Sequence, residues 1–323
     1  MNRLLRSTAL VCSFLALALP AGAQQKMETV TVAQAFQSLL YLPLYVAIDK
    51  GFFKKHGVDV IKTTAGSGAN GVASVIQGSA MFSLQDPMTA VLANLKGARL
   101  ESVGAVVNGA PVWIIVRKDS PIKSLADLQG KTIATAIAPS TSTYLLRNLM
   151  TRKNIKPVEQ DVLLGTEIAP LLAGKVDAAA VYEPYLETAI AQGARILYAF
   201  SATVPGGYAF SCIDMLDATA KTKPAVVQAF IDGLDDAIRS MNADQTGAAD
   251  VAVTEFPSLA PDLVRAGVKR MFHENVYPKR ALIEESAFAN ALELQVQVGN
   301  IKPGSVNYAD AVDPSFARKV GNH

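Results

Sequence analysis

Strand-like and helix-like patterns alternate along this chain, and this alternation restricts its possible folds more than any other feature. Residues 29–35 alternate apolar and polar side chains as a strand does. Residues 42–50 follow with a helical pattern, with Pro43 near its start and Gly51 just after its end. Residues 58–62 form the next predicted strand. Repeated alternation of this kind predicts an α/β protein with mainly parallel sheets.

The rest of the chain continues in the same order. Further strands are predicted at residues 80–84, 112–117, 132–137, 176–181 and 208–213. Further helices are predicted at residues 71–77, 88–95, 125–128, 141–153 and 168–173, and then at 225–241, 248–255, 261–270 and 283–298. With 323 residues, of which 50% are hydrophobic, the chain can build two domains of roughly 150 residues each.

A short pattern occurs once in each half of the sequence. Residues 75–87 and 171–184 both contain a helix end, a glycine, a strand of small residues and then an acidic residue followed by proline. The acidic residues are Asp86 and Glu183. Two related α/β lobes with a cleft between them are the simplest architecture that gives this pattern.

The N-terminus has the pattern of a secretory signal peptide. Arg3 and Arg6 supply positive charge, residues 10–19 are mostly apolar, and Ala21 and Ala23 supply the small residues of a cleavage site. The apolar run is shorter than the about 20 residues that a membrane-spanning helix needs. The sequence therefore predicts that residues 1–23 are removed on export.

Composition argues against several classes of function. The chain has 30 basic and 28 acidic residues, and this balance argues against nucleic acid or an anionic membrane as a partner. Removal of the signal peptide would leave Cys212 as the single cysteine, in an apolar segment typical of a buried residue. No sequence pattern for a zinc site or a nucleophile elbow occurs, so no metal, cofactor or catalytic residue is predicted.

Candidate ligand-binding residues lie mainly in polar turns between a strand and a helix. In open parallel sheets, ligands bind beyond the carboxyl ends of the strands, where helix N-termini offer unpaired N–H groups. Ordinary helix capping is the alternative for each turn, since Ser, Thr and Asn are preferred N-cap residues. The predicted binding residues are Gln37, Ser38, Ser67, Ala69, Asn70, Asp86, Asn108, Ser140, Thr141, Ser142 and Glu183.

One of these turns also permits a different function. Residues 66–71 match G-x-G-x-x-G, and Asp86 follows at about the distance of a ribose-binding acid. An exported enzyme that uses a nucleotide is therefore the alternative. Against it, the following helix is short for a dinucleotide-binding crossover, and Asp86 before Pro87 suits a helix N-cap.

The prediction about the ligand depends on Glu183. Glutamate caps helices poorly, and Tyr182 and Tyr185 on either side could form an apolar wall. A carboxylate in the cleft would favour a donor or cationic group, whereas the helix N-termini favour acceptors or anions. Amino-sulfonates, amidated heterocycles and pyrimidine-like rings fit both, and nitrate does not. A Glu183 side chain bonded to neighbouring backbone or to a Lys is the alternative.

Three segments together resemble a known family. Residues 38–60, with Asp49-Lys50-Gly51-Phe52-Phe53, residues 122–133, and residues 174–179 followed by Glu183-Pro184 are similar to periplasmic binding proteins of the nitrate/sulfonate/taurine and thiamine-pyrimidine type. Two departures stand out. Met81 occupies a position that is often acidic in the family, and the Cys-rich signature of enzyme relatives that make the thiamine pyrimidine is absent.

The resemblance implies a two-lobed type II periplasmic-binding fold that closes on a small solute. It implies lobes formed by residues 28–113 with 211–323, and by residues 114–210, with crossovers near Trp113 and residues 208–211. It further implies a monomeric periplasmic receptor, without enzyme activity, that delivers a small polar organic molecule to an ABC permease. A sensor-linked binding protein without a transport role is a further alternative.

Overall fold

The computed structural model of the protein describes residues 27–201 and 204–321. The predicted signal peptide therefore lies outside the described residues. Within the described part, no helix combines the length and the apolar character that crossing a membrane requires.

Two five-stranded sheets organise the described residues, and they share one topology. The first has the order β2-β1-β3-β10-β4, and the second has the order β7-β6-β8-β5-β9. The strands of the first sheet are β1 (Glu28–Gln34), β2 (Val58–Thr64), β3 (Phe82–Gln85), β4 (Leu100–Val107) and β10 (Ser211–Leu216). The strands of the second are β5 (Trp113–Arg117), β6 (Thr132–Ala136), β7 (Val158–Val162), β8 (Ala178–Val181) and β9 (Ala194–Ala199).

Both sheets are mixed, which corrects the prediction of mainly parallel sheets. Strands β1, β2 and β3 are parallel, as are β6, β7 and β8. In contrast, β10 runs antiparallel to β3 and β4, and β5 runs antiparallel to β8 and β9. Strands β5 and β10 each enter their sheet directly from the other half of the molecule. They can do so because an antiparallel strand, unlike a parallel one, needs no crossover helix before it.

Helices surround both sheets and dominate the C-terminal part. In chain order they are α1 (Leu42–Asp49), α2 (Phe52–Lys55), α3 (Gly68–Ile76), α4 (Pro87–Asn94), α5 (Thr141–Lys153), α6 (Ile168–Leu172), α7 (Tyr185–Ala191), α8 (Asp217–Thr222), α9 (Pro224–Ala243), α10 (Gln245–Glu255), α11 (Pro261–His273), α12 (Glu285–Gln297) and α13 (Ser315–Lys319). Short 3₁₀ turns occur at Leu39–Tyr41, Leu125–Leu128 and Tyr308–Asp310. The sequence did not predict β4, β7, β9, α2, α7, α8 or α13, and it placed β10 three residues too early.

The chain passes between the sheets twice, from β4 to β5 and from β9 to β10. Trp113 is the first residue of β5, where it pairs with Val181 and Ala199 and is fully buried. It therefore belongs to the second sheet, although the prediction made it the last residue of this part of the first lobe. The predicted lobe limits otherwise stay a prediction.

Cys212 is free and buried in β10, which confirms its interpretation as a small core residue.

Candidate functional site

A cavity of about 330 Å³ lies where the carboxyl ends of strands from both sheets meet. Ligand pockets are typically about 300–1,000 Å³, so this volume suits a small organic molecule. Residues just beyond β1, β2 and β3 line one side, and residues just beyond β6, β7 and β8 line the other. They include Ala35, Phe36, Gly66, Ser67, Asp86, Ile137, Leu163 and Tyr182.

Three helices begin at this cavity. Ser67 caps α3, and its Oγ accepts from the backbone N–H of Asn70 at 3.2 Å. Asp86 caps α4 and accepts from the N–H of Met88 at 2.8 Å. Ser140 precedes α5 without a side-chain cap bond. Since the first N–H groups of a helix have no intrahelical partner, the three ends present donors and partial positive charge to the cavity.

The turn before α3 depends on glycine. Gly66 has a φ of +85°, in the left-handed region that glycine enters without the clash of a Cβ. This turn brings Ser67, Gly68 and Ala69 to the cavity wall. The G-x-G-x-x-G match thus coincides with a tight strand-to-helix turn at the cavity.

Asp86 and Thr141 join the two sides of the cavity. The Thr141 hydroxyl donates to Asp86 Oδ2, while Met88 donates to Asp86 Oδ1. Burial raises the pKa of Asp86 to about 6, and the hydrogen bonds from Thr141 and Met88 limit that rise. At pH 7 this carboxyl is mainly ionised, so the cavity contains a negative charge that is hydrogen-bonded on each oxygen.

Aromatic rings form the apolar part of the wall. The Phe36 ring lies 5.4 Å from that of Tyr41 and 5.6 Å from that of Tyr182, while Tyr182 lies 5.9 Å from Phe210. The Tyr182 hydroxyl accepts from the backbone N–H of Ser142 at 3.0 Å. Burial raises the pKa of Tyr182 to about 12, so it stays a neutral phenol at physiological pH. The rings offer flat surfaces to a ligand.

Asp86 is the one charged side chain among the described residues that line the cavity, and no Lys, Arg or His is among them. The other polar lining side chains are Ser67, Gln85, Thr89, Ser140, Thr141, Ser211 and Gln295, with the hydroxyls of Tyr41, Tyr144 and Tyr182. Across the described residues, no group of three or more His, Cys, Asp or Glu is placed to hold a metal ion.

Five of the eleven predicted binding residues line the cavity. They are Ser67, Ala69, Asp86, Ser140 and Thr141. Their binding role stays a prediction.

Five others do not line the cavity. Gln37 donates to the backbone oxygen and the side chain of Glu255, both at 3.0 Å. Asn70 donates to the backbone oxygen of Ala65 at 3.0 Å. The remaining three are Ser38, which donates to the Glu183 backbone oxygen; Asn108, which lies beside Gly207; and the buried Ser142.

Glu183 is the main correction to the predicted site. Its side chain is fully buried and does not line the cavity. It lies in a group that we call the rear cluster: Glu183, Glu187, Arg270 and Glu274. Glu183 Oε1 is 3.4 Å from Arg270 Nε, and the Glu187 N–H donates to Glu183 Oε2 at 3.3 Å. The structure thus agrees with the alternative in which the Glu183 side chain bonds neighbouring backbone and a cationic side chain. The cation is Arg270, where the sequence analysis had suggested a Lys.

The rear cluster joins α7 of one lobe to α11 of the other. Arg270 bonds Glu187 through Nε at 2.9 Å and lies 3.8 Å from Glu274. A Cβ at Gly267 would lie 2.7 Å from Leu39 Cδ1 and 3.2 Å from Glu183 Oε2, so α11 approaches these side chains closely at its glycine. Burial and, to a smaller extent, the neighbouring Glu187 raise the pKa of Glu183 to about 8.

Several lining residues were not predicted. Phe36 and Gln85 each occupy the strand end next to a predicted residue, so their position was readable from the sequence. Ser211 comes from the start of β10, just after the second crossover, and Gln295 comes from α12, far along the chain. No local pattern in the sequence indicates that these two residues return to the cavity.

The chain is similar in sequence and in structure to known proteins. The YtlA protein of Bacillus subtilis (strain 168), named as a candidate binding protein, is 24% identical over 335 residues that cover 99% of each chain. The alkanesulfonate-binding protein SsuA from Xanthomonas axonopodis pv. citri, solved bound to MOPS, aligns with a TM-score of 0.73 at 18% identity, covering 90% of this chain and 99% of SsuA.

The desulfurization enzyme DSZB has a similar structure, with a TM-score of 0.69 at 15% identity, covering 90% of this chain and 98% of the enzyme. The two structural likenesses establish the fold, which is that of periplasmic binding proteins, and they show that this fold also carries enzymes. Residues 40–248, more than half of the chain, match the family model described as NMT1/THI5 like. The chain therefore belongs to the NMT1/THI5-like family.

Proposed function

We propose that this protein is an exported receptor that binds a small organic molecule between its two lobes and delivers it to an ABC permease. One observation carries the proposal: a ligand-sized cavity lies at the strand ends of both sheets, and Asp86 and Thr141 bond to each other across it. A ligand at this position would contact both lobes at once, so binding and lobe closure would be coupled.

The comparisons support a binding role. Family membership and the names of YtlA and SsuA agree with a receptor. Inside the cavity, the carboxyl of Asp86 accepts from Thr141 and from the backbone of Met88, an arrangement suited to holding a ligand and a helix end. Export through residues 1–23, a periplasmic location, a monomeric state and the permease as partner belong to the same proposal.

The direct test is to identify what the protein carries. The full chain, expressed with residues 1–23, would be purified from the periplasmic fraction and analysed by mass spectrometry under native and denaturing conditions. We expect a small organic molecule that the native protein retains and that denaturation releases. Calorimetry with that molecule would then compare the wild type with Thr141→Ala and with Thr222→Ala, an exposed threonine on α8 that serves as the control.

Three outcomes would contradict parts of the proposal. Chemical conversion of the bound molecule would indicate an enzyme, as would tight binding of a nicotinamide nucleotide at residues 66–71. Binding that Thr141→Ala leaves unchanged would place the ligand elsewhere. Normal uptake of the molecule by cells that lack the gene would favour the sensor-linked alternative over transport.

A further inference from the structure

Resting on the proposed function, we infer that Asp86 determines specificity, and that the ligand is an uncharged or cationic organic molecule. In this assignment an N–H or O–H group of the ligand bonds Asp86, and a flat apolar body lies against the aromatic wall. Anions are excluded.

The first step is the hydrogen-bonding capacity of Asp86. An ionised carboxylate accepts at about four lone-pair sites on its two oxygens. Thr141 and the Met88 backbone use one site on each oxygen. Each oxygen can therefore accept one more hydrogen bond, and a donor group of a ligand in the cavity can supply it.

The second step is that the neighbouring Gln85 does not compete with Asp86 for the ligand. Gln85 is 1% exposed, and its Nε2 donates to Asp214. A Cβ added at Gly71 would lie 3.2 Å from Gln85 Oε1, so this oxygen faces α3 and is closed off from the cavity. The Asp86 carboxyl is therefore the acceptor at the end of β3 that a ligand donor can reach.

The charge of the wall gives the third step. Because no Lys, Arg or His lies among the described lining residues, no side-chain cation offsets the Asp86 carboxylate there. An anionic group close to it would meet like-charge repulsion in a partly water-free site. The helix ends at Ser67 and Ser140 still favour acceptors, and an uncharged carbonyl or ring nitrogen satisfies them.

Two exposed apolar side chains give the shape of the ligand. Ile137 and Leu163 are 51% and 70% exposed, and both line the cavity. They follow the paired strands β6 and β7, where the Ile137 N–H donates to Val162 at 3.1 Å. An apolar ligand body extending from the rings of Phe36 and Tyr182 would cover them, whereas a small inorganic ion would leave them exposed to water.

The test uses three probes of nearly the same shape that differ in charge: benzamidinium, benzamide and benzoate. We expect the first two to bind at pH 7.5 and benzoate to bind at least tenfold more weakly, as measured by ligand-detected NMR and calorimetry. Asp86→Asn preserves the helix cap, because Asn caps as well as Asp. It should reduce the preference for benzamidinium over benzoate at least tenfold. Asp119→Asn, at a side chain that is 86% exposed, removes the same charge and should change nothing.

Each result is decisive. Benzoate binding as tightly as benzamidinium, or a preference that Asp86→Asn leaves unchanged, overturns the assignment while the receptor function stands. If none of the probes binds, the molecule that co-purifies decides: an anionic molecule overturns the assignment, and a neutral or cationic molecule whose binding Asp86→Asn weakens supports it. If the protein binds no small organic molecule at all, the receptor function itself fails.

Discussion

Two of the polar contacts between the lobes differ from each other in almost every physical respect. At the cavity, one hydroxyl of Thr141 meets one carboxyl of Asp86. In the rear cluster, the guanidinium of Arg270 lies among three carboxyls, and Glu274 also accepts from Ser201. The first contact borders a space that a ligand can fill, and the second is enclosed by helices. The comparison indicates that the bond between Thr141 and Asp86 is exchangeable, in the sense that it can break and re-form as a ligand enters or leaves. The rear cluster, in contrast, holds the lobes together.

The largest expected effect is loss of the cation from the rear cluster. Arg270→Gln leaves the carboxyls without their counter-charge, and breaking a buried ion pair this way costs about 3–5 kcal/mol. Because the Arg270 side chain is 26% exposed, we expect the lower part of that range, measured by urea unfolding. Arg265→Gln, on the same helix, removes an exposed pair with Asp250 and should cost less than about 1 kcal/mol. Equal losses of stability in the two variants would show that the rear cluster stabilises the protein no more than an exposed ion pair does.

The second prediction concerns pH. Glu183 has an ordinary pKa of 4.5 and a folded-state pKa of about 8, so the folded protein binds more protons between these values. Stability therefore falls as pH rises from 4.5 to 8, by up to about 1.4 kcal/mol per pH unit from this group. Glu187, Glu274, Arg270 and Tyr277 are the ionisable groups that face it.

Unfolding midpoints measured from pH 5 to pH 9 would test this dependence. Glu183→Gln should flatten the slope, particularly between pH 7 and pH 8. Some slope should persist, because burial also raises the pKa of Asp86 to about 6 and that of Glu167 to about 7. An unchanged slope in Glu183→Gln would show that Glu183 is ionised in the folded protein.

The third prediction addresses the cavity contact. Thr141→Ala and Ser67→Ala each remove a hydroxyl at the cavity, and a lost hydrogen bond to a buried partner costs about 1–3 kcal/mol. We expect each variant to bind the co-purified ligand about tenfold more weakly, by calorimetry. Variants that bind normally but melt early would show that both residues act only as structural groups at helix N-termini.

How far the sequence predicts this molecule depends on the distance over which each residue is positioned. Ser67, Asp86 and Thr141 were found because strand, turn and helix follow one another locally, and the strand end places them. Glu183 obeys the same local pattern, yet its side chain is held by Arg270 on α11, some ninety residues later. Strands β5 and β10 were predicted, but their antiparallel direction was not, because their partners are set by the crossovers and not by local sequence.

The smallest expected effect is spectroscopic and concerns Trp113. Its indole N–H lies 3.4 Å from Glu274 Oε1, so the ring reports on the rear cluster although its strand begins just after the first crossover. If the cavity contact is the exchangeable one, the co-purified ligand should shift Trp113 emission by only a few nanometres. Arg270→Gln frees Glu274 from its cation and should shift the emission more. A large ligand-induced shift, matching that of Arg270→Gln, would mean that the rear cluster also rearranges on binding, and the two contacts would then form one coupled unit.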